Sequence, residues 1–225
     1  AYESVSKMMK DIGMFGNDVN SYTYYPQTPI FNTMFSLSYV FDNSERISDN
    51  AYYTSVDSND TFTVYENRYK MPLAFCVNSG LADWTTVGEN PFDDQAAMWN
   101  LATGAAGVFT DVSPVVDTLD NISALSDETV ASGQFTLNKV NGGSFASVTL
   151  TLTAPANGNM YLYTQSADCD VALVSSPTVS KDITMDSPYL MDCGYLNEGE
   201  TITVELQMPN EKDTADIRFY AVSLD

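Results

Sequence analysis

The chain has 225 residues, 9 basic against 30 acidic, a formal net charge of −21 and 44% hydrophobic content. That length can bury the core of one or two domains, and the charge repels nucleic-acid phosphates and anionic lipid headgroups, so both are set aside as partners. The absence of histidine removes Ser-His-Asp and Cys-His catalysis and His-ligated zinc together.

No apolar run approaches the 18 residues of a membrane-crossing helix, so the chain as given is expected to be soluble. Its start, AYESVSKMMKDIG, has neither a basic n-region nor an apolar h-region, and no signal peptide is expected there. Acidic composition with many Tyr, Thr, Ser and Asn leans the compartment outward.

In chain order, residues 3–13 predict a helix with Val5, Met8, Met9 and Ile12 on one face and Gly13 at its end. An extended Tyr-rich stretch follows, with Tyr22, Tyr24 and Tyr25. Thr28 as N-cap and Pro29 at the first helical position predict a short helix burying Ile30, Phe31, Met34 and Phe35. Leu37–Phe41 reads as a strand, 42–50 as a polar turn, Ala51–Val56 as an edge strand and Thr61–Glu66 as a half-buried strand. Met71–Val77, continuously apolar, reads as a central strand that begins beside Pro72 and packs Cys76 inside. Asn90 as N-cap, Pro91, and Asp93 and Asp94 in the first turn predict a helix that Gly104 can stop. Its apolar face is expected to hold Phe92, Gln95, Ala96 and Trp99. Val108–Val116 reads as one more strand.

Residues 119–133 are polar and read as a connector between a mixed α/β domain (1–118) and a β domain (134–225). The latter shows seven alternating runs, QFTLNKV, FASVTLTLT, NMYLYTQ, VALVS, PYLMDCGYL, TITVELQM and DIRFYAV, separated by Asn, Gly, Asp and Pro. The fold class is therefore α+β, a mixed N-terminal part followed by an antiparallel, jelly-roll-like β-sandwich. Cys169 and Cys193 lie in similar settings, and the sequence leaves open whether they pair.

Two segments in order, VYENRYKMPLAFCVN and NPFDDQAAMWNLATG, resemble the YfhO family of bacterial membrane proteins. TPIFNTMFSLSYVFDN, MMKDIG and, in the tail, MYLYTQ and NEGETITVEL are similar to further family segments, so the resemblance spans nearly the whole chain. Met71 and Cys76 stand where the family usually has Leu and Met. The resemblance implies a large polytopic parent similar to lipid-linked-sugar glycosyltransferases that modify cell-surface polymers such as teichoic acids. It also implies that this chain is the extracytoplasmic domain, on the outer face of the bacterial cell membrane, with the catalytic acid elsewhere in the parent. The implied partners are the parent's transmembrane portion and a cell-surface glycan or polymer. No catalytic residue is assigned to this chain, and the fragment is not expected to catalyse by itself.

The residues themselves offer four candidates for ligand contact. Trp84, in the loop before the capped helix, suits a binding edge, or else caps the core. Gln95, on an apolar helix face, needs buried partners: the backbone of the NSGLADW loop, or a sugar hydroxyl. Asn90 is explained as an N-cap and borders the same loop. Tyr24, within the Tyr run, can stack on a sugar. Asp93 and Asp94 read as helix-dipole and solvent carboxylates. No cofactor is expected; calcium on the tail carboxylates Asp168, Asp170, Asp186 and Asp192 would be the one metal option, and no D-x-D-x-D-G loop supports it. The reading is a non-catalytic extracytoplasmic accessory domain. The alternative is a secreted carbohydrate-binding or surface module acting alone.

Overall fold

The computed structural model describes residues 2–17, 19–43, 47 and 51–224. It divides into two compact units at residues 109 and 110, ahead of the 119–133 segment that reads as a connector.

The first unit opens with α1 (Glu3–Asp11), whose C-cap is Ile12, followed by Gly13 at φ 97°. A small ladder, β1 (Phe15–Gly16) with β2 (Tyr22–Thr23), leads to α2 (Pro29–Met34). The Thr28 hydroxyl accepts from the Phe31 amide, the expected cap. Three strands then form an antiparallel sheet in the order β3 (Tyr39–Asp42), β5 (Thr63–Asn67), β4 (Tyr53–Ser58), so the expected edge strand is an edge. Most of the polar turn at 42–50 lies outside the described residues. A single 3-10 turn (Ser79–Asp83) precedes α3 (Pro91–Thr103), which Asn90 caps and Gly104 ends in the left-handed conformation. Such an Asn cap contributes about 1 kcal/mol.

The sequence reading fails at Met71–Val77, which forms no strand. Leu73 is 96% exposed, Val77 40%, and Cys76 is exposed rather than packed. Asn67 ends the sheet here: its buried side chain donates to the Leu37 carbonyl (3.1 Å) and accepts from the Tyr69 amide (2.9 Å). The central place is held by β5, and Pro72 brings no N–H to a ladder. A short apolar run cannot by itself separate a buried strand from an exposed loop.

The face of α3 also differs from expectation. Its buried residues are Pro91, Phe92, Asp94, Gln95, Met98 and Ala102; Trp99 is half-buried. Phe92 and Gln95 are buried as expected, but Ala96 and Trp99 are only half-buried. The stripe turns instead toward Asp94, Met98 and Ala102, because the buried Asp94 carboxylate has no place in a hydrophobic periodicity.

The second unit is a β-sandwich. The expected strand at Val108–Val116 is two shorter ones, β6 (Phe109–Asp111) and β7 (Val115–Asp120); a one-turn helix, α4 (Asp127–Val130), follows. All seven expected tail runs form strands: β8 (Gln134–Asn138), β9 (Ala146–Thr153), β10 (Gly158–Gln165), β11 (Val171–Ser175), β13 (Met191–Leu196), β14 (Thr201–Met208) and β15 (Thr214–Leu224). β12 (Ser180–Thr184) escaped notice because Lys181 and Asp182 blur its alternation. One sheet runs β12-β11-β14-β9-β7; the other runs β13-β10-β15-β6, with β8 also on β15.

Alternation drives this unit. Val148, Leu150 and Leu152 of β9 lie opposite Leu206, Val204 and Ile202 of β14, and all six are fully buried. Each such side chain contributes roughly 1.5–3 kcal/mol on leaving water. Cys169 and Cys193 are both buried thiols; burial pushes the Cys169 thiol up to about 12, which makes it unreactive at neutral pH.

Candidate functional site

Three of the four candidate contacts, Trp84, Gln95 and Tyr24, meet one small core in the first unit, formed by Ile12, Met14 and Phe31, and Asn90 caps the neighbouring α3. Gln95 is fully buried there. Its Nε2 donates to the Ile12 carbonyl (2.9 Å), and its Oε1 accepts from the Thr28 hydroxyl (2.5 Å). It does hold a backbone, but that of the α1 terminus and not of the NSGLADW loop. Trp84 packs against the same core and donates its indole N–H to the Asp94 carbonyl (3.1 Å), so it covers the core as one of its two readings required. Asn90 accepts from the Phe92 amide (3.1 Å). These three side chains spend their polar groups on the fold.

Asp94 has a role the sequence did not reveal. It is buried, and its two carboxylate oxygens accept from the Val87 and Gly88 amides, each at 2.8 Å. Burial raises its pKa above the ordinary aspartate value, against those two bonds, with Asp11 and Asp93 adding repulsion. Asp11 holds the same loop from α1 by accepting from the Thr86 hydroxyl (2.5 Å) while pairing with Lys7 (2.8 Å). Gly88, at φ 75°, leaves no room for a Cβ, which would meet Asp11 Oδ1 at 2.6 Å. The loop at 85–89 is therefore clamped between two helices. A carboxylate in the first helical turn, three residues after Pro91, is the only sequence signal for it.

Tyr24 is the exception among the four. It is 37% exposed, donates its hydroxyl to Asn32 Oδ1 (3.0 Å), and lines an open groove of about 420 Å³. The groove runs between α2 and β3, with Phe31 and Phe35 on its floor and Tyr22, Tyr24, Tyr39 and Phe41 along its sides. Tyr39 is 51% and Phe41 68% exposed. Alternation sends these two rings outward while Val40 and Asp42 turn in. Among the described residues no charged side chain lines the groove. At its rim, Lys70 pairs with Glu66 and lies 5.5 Å from the Tyr39 ring centre. That pairing, by hydrogen bond first, holds Glu66 below its ordinary range and Lys70 above its own. Apolar walls with polar groups at the edge, at this volume, are what small-ligand sites present. The Tyr-rich extended run is the one sequence signal near the groove; the outward turn of Tyr39 and Phe41, where Phe41 meets the Phe62 ring, follows from the sheet order.

The second unit has a slot of about 480 Å³ lined by Gln134, Thr136, Gln165, Ser166, Asp216 and Arg218, among others. Thr136 donates to Asp216 (2.6 Å), and Gln134 donates to Tyr220 (3.0 Å), so much of its polarity is spent within the sheet. Among the described residues no group of three or more carboxylates or thiols is placed to hold a metal. Asp168 pairs with Lys212 (2.5 Å), and Asp192 accepts from the Gly194 amide (2.8 Å).

The sequence model of the family described as "Bacterial membrane protein YfhO" matches residues 2–224. No curated protein matches the chain. Among solved structures, a family 29 carbohydrate binding module from Piromyces equi shares 11% identity, over 53% of this chain and 93% of its own, at a TM-score of 0.30. The module titled BiXyn10A CBM1 shares 8%, over 52% and 96%, at 0.30. The enzymatically active domain of tailspike protein 4 of bacteriophage CBA120 shares 14%, over 53% and 20%, also at 0.30. Likenesses this distant carry no functional weight. Among the described residues no helix is long and apolar enough to cross a membrane.

Proposed function

The chain belongs to the YfhO family of bacterial membrane proteins, and from that membership we propose that it is a non-catalytic extracytoplasmic domain of a polytopic membrane protein. In this reading the parent is a glycosyltransferase of cell-surface polymers, and the domain holds the saccharide part of an acceptor or lipid-linked donor beside the catalytic machinery. The observation that carries the binding role is the uncharged groove walled by Tyr22, Tyr24, Tyr39 and Phe41. Exposed rings can cover the C–H face of a pyranose, while tyrosine hydroxyls and the Glu66–Lys70 pair at the rim meet its hydroxyls. A net charge of −21 favours a neutral sugar over an anionic one.

The test is calorimetry of this chain with neutral oligosaccharides. Tyr39→Ala with Phe41→Ala is expected to weaken binding at least ten-fold, and Trp84→Ala to leave it unchanged in any variant that stays folded. Binding that survives loss of both groove rings sinks the assignment of the site. Turnover of a lipid-linked sugar donor by the isolated chain sinks the non-catalytic part. Sugar binding by a chain whose reading frame encodes no flanking membrane segments would favour the secreted module instead.

A further inference from the structure

The segment Met71–Val77 has no role in the core and none in the groove, yet it is held in place. At one end the Ser36 hydroxyl donates to the Pro72 carbonyl (3.1 Å); at the other the Asn78 amide donates to the Ala102 carbonyl of α3 (2.8 Å). Between these pins Leu73 stands 96% exposed, with Ala74, Cys76 and Val77 also exposed and Met71 and Phe75 half-buried at its base. Arg68, Tyr69 and Lys70, all exposed, form its shoulder. The 16 residues from Asn67 to Ala82 hold two of the nine basic residues and none of the thirty acidic ones. Glu66 and Asp83 flank this window and Glu66 pairs with Lys70, so the loop with its flanks carries no net charge within a chain of net −21.

We propose that this loop is a membrane-interface anchor: Leu73, Ala74 and Val77 enter the outer region of a zwitterionic bilayer, Tyr69 lies at headgroup level, and Arg68 meets a lipid phosphate, while Lys70 stays paired with Glu66. An apolar tip with an aromatic and basic shoulder matches the polarity gradient of the interface. The charge argument selects the lipid, because the whole surface repels a strongly anionic leaflet while the loop, with no net charge of its own, meets no such barrier at a zwitterionic one. The inference rests on the reading of the chain as a domain lying beside a membrane, and not on sugar binding.

Cys76 supplies the probe, since the other two thiols are buried. An environment-sensitive fluorophore is attached there and the intact chain is mixed with phosphatidylcholine–phosphatidylethanolamine vesicles. The expected result is a blue-shifted, brighter emission, quenched by lipids brominated near the carbonyl region. Leu73→Asp, with Val77→Asp as a second variant, is expected to weaken partition at least ten-fold without altering the circular dichroism. The double groove variant Tyr39→Ala, Phe41→Ala is expected to leave partition intact. No spectral change at millimolar lipid, an equal change in Leu73→Asp, or a response only in membranes carrying the rest of a YfhO protein each overturns the lipid assignment. None of these outcomes bears on sugar affinity, so the two readings fail separately.

Discussion

The two units use their apolar residues in opposite ways. In the second, long strands alternate and the aliphatic half of each goes inside; β9 and β14 alone bury six large side chains completely. In the first, short elements close over small separate clusters, Ile12, Met14 and Phe31 in one and Val40, Ile47, Tyr53 and Tyr65 in another, with a buried amide and a buried carboxylate tying helix ends and a loop beside the first. Among the described residues, eleven of the sixteen large apolar or aromatic side chains left exposed belong to the first unit. That imbalance points to the first unit as the recognition surface. The difference teaches that a unit can spend apolar surface on presentation when polar groups supply part of its cohesion.

The sharpest way to break the comparison is to attack both cores. Leu150→Ala removes a fully buried side chain set opposite Val204 and Val116, and is expected to cost about 2–5 kcal/mol. Gln95→Leu keeps the bulk but strands the Ile12 carbonyl and the Thr28 hydroxyl, at an expected cost of roughly 2–4 kcal/mol. Both tryptophans, Trp84 and Trp99, lie in the first unit. Denaturant unfolding followed by tryptophan emission is therefore expected to move most for Gln95→Leu. A shift under about 1 kcal/mol would mean that water replaces the amide and that polar ties matter less than argued.

The same contrast explains what was legible in the sequence. A two-residue alternation is a direct record of which side is buried, so the strands from β8 onward could be read, β12 apart. By contrast β7, with only Val116 half-buried among exposed residues, runs on past the expected end at Val116 into the expected connector. The caps at Thr28 and Asn90 were equally legible, because their side chains act on amides two or three residues away. The partners of Gln95 are 67 and 83 residues distant, and no local pattern records them. Asp94 was misread for a similar reason: an N-terminal helical carboxylate has a sufficient local explanation, and its loop partners are fixed by tertiary folding. Of the groove, only Tyr24 was named in advance. Tyr39 and Phe41 look like core residues until the sheet order leaves one face uncovered.

A middle-sized effect is expected at the loop clamp. Asp94→Asn removes one acceptor and leaves the Val87 or Gly88 amide unbonded, a loss of about 1–3 kcal/mol. The wild-type carboxyl should titrate above the ordinary aspartate value in an NMR pH series, because burial raises it. Between the ordinary aspartate value, about 3.9, and that raised midpoint, the folded state holds more protons than the unfolded one. Stability contributed by this group therefore falls as pH rises through the window and stays lower above it. The Asn variant should lack that slope. An Asp94 midpoint below the ordinary aspartate value, about 3.9, would show that the two amide bonds outweigh desolvation.

The smallest effect is also the most discriminating. Leu73→Ser is expected to change stability by no more than about 0.5 kcal/mol, since the side chain is already in water. A leucine in a central strand would instead cost about 2–5 kcal/mol on truncation. Equilibrium unfolding of this one variant thus separates two accounts of the most distinctive stretch of the chain. A large loss would return Met71–Val77 to the core and remove the exposed surface on which membrane contact depends. A negligible loss leaves an ordered, seven-residue apolar segment that the fold of this chain does not require.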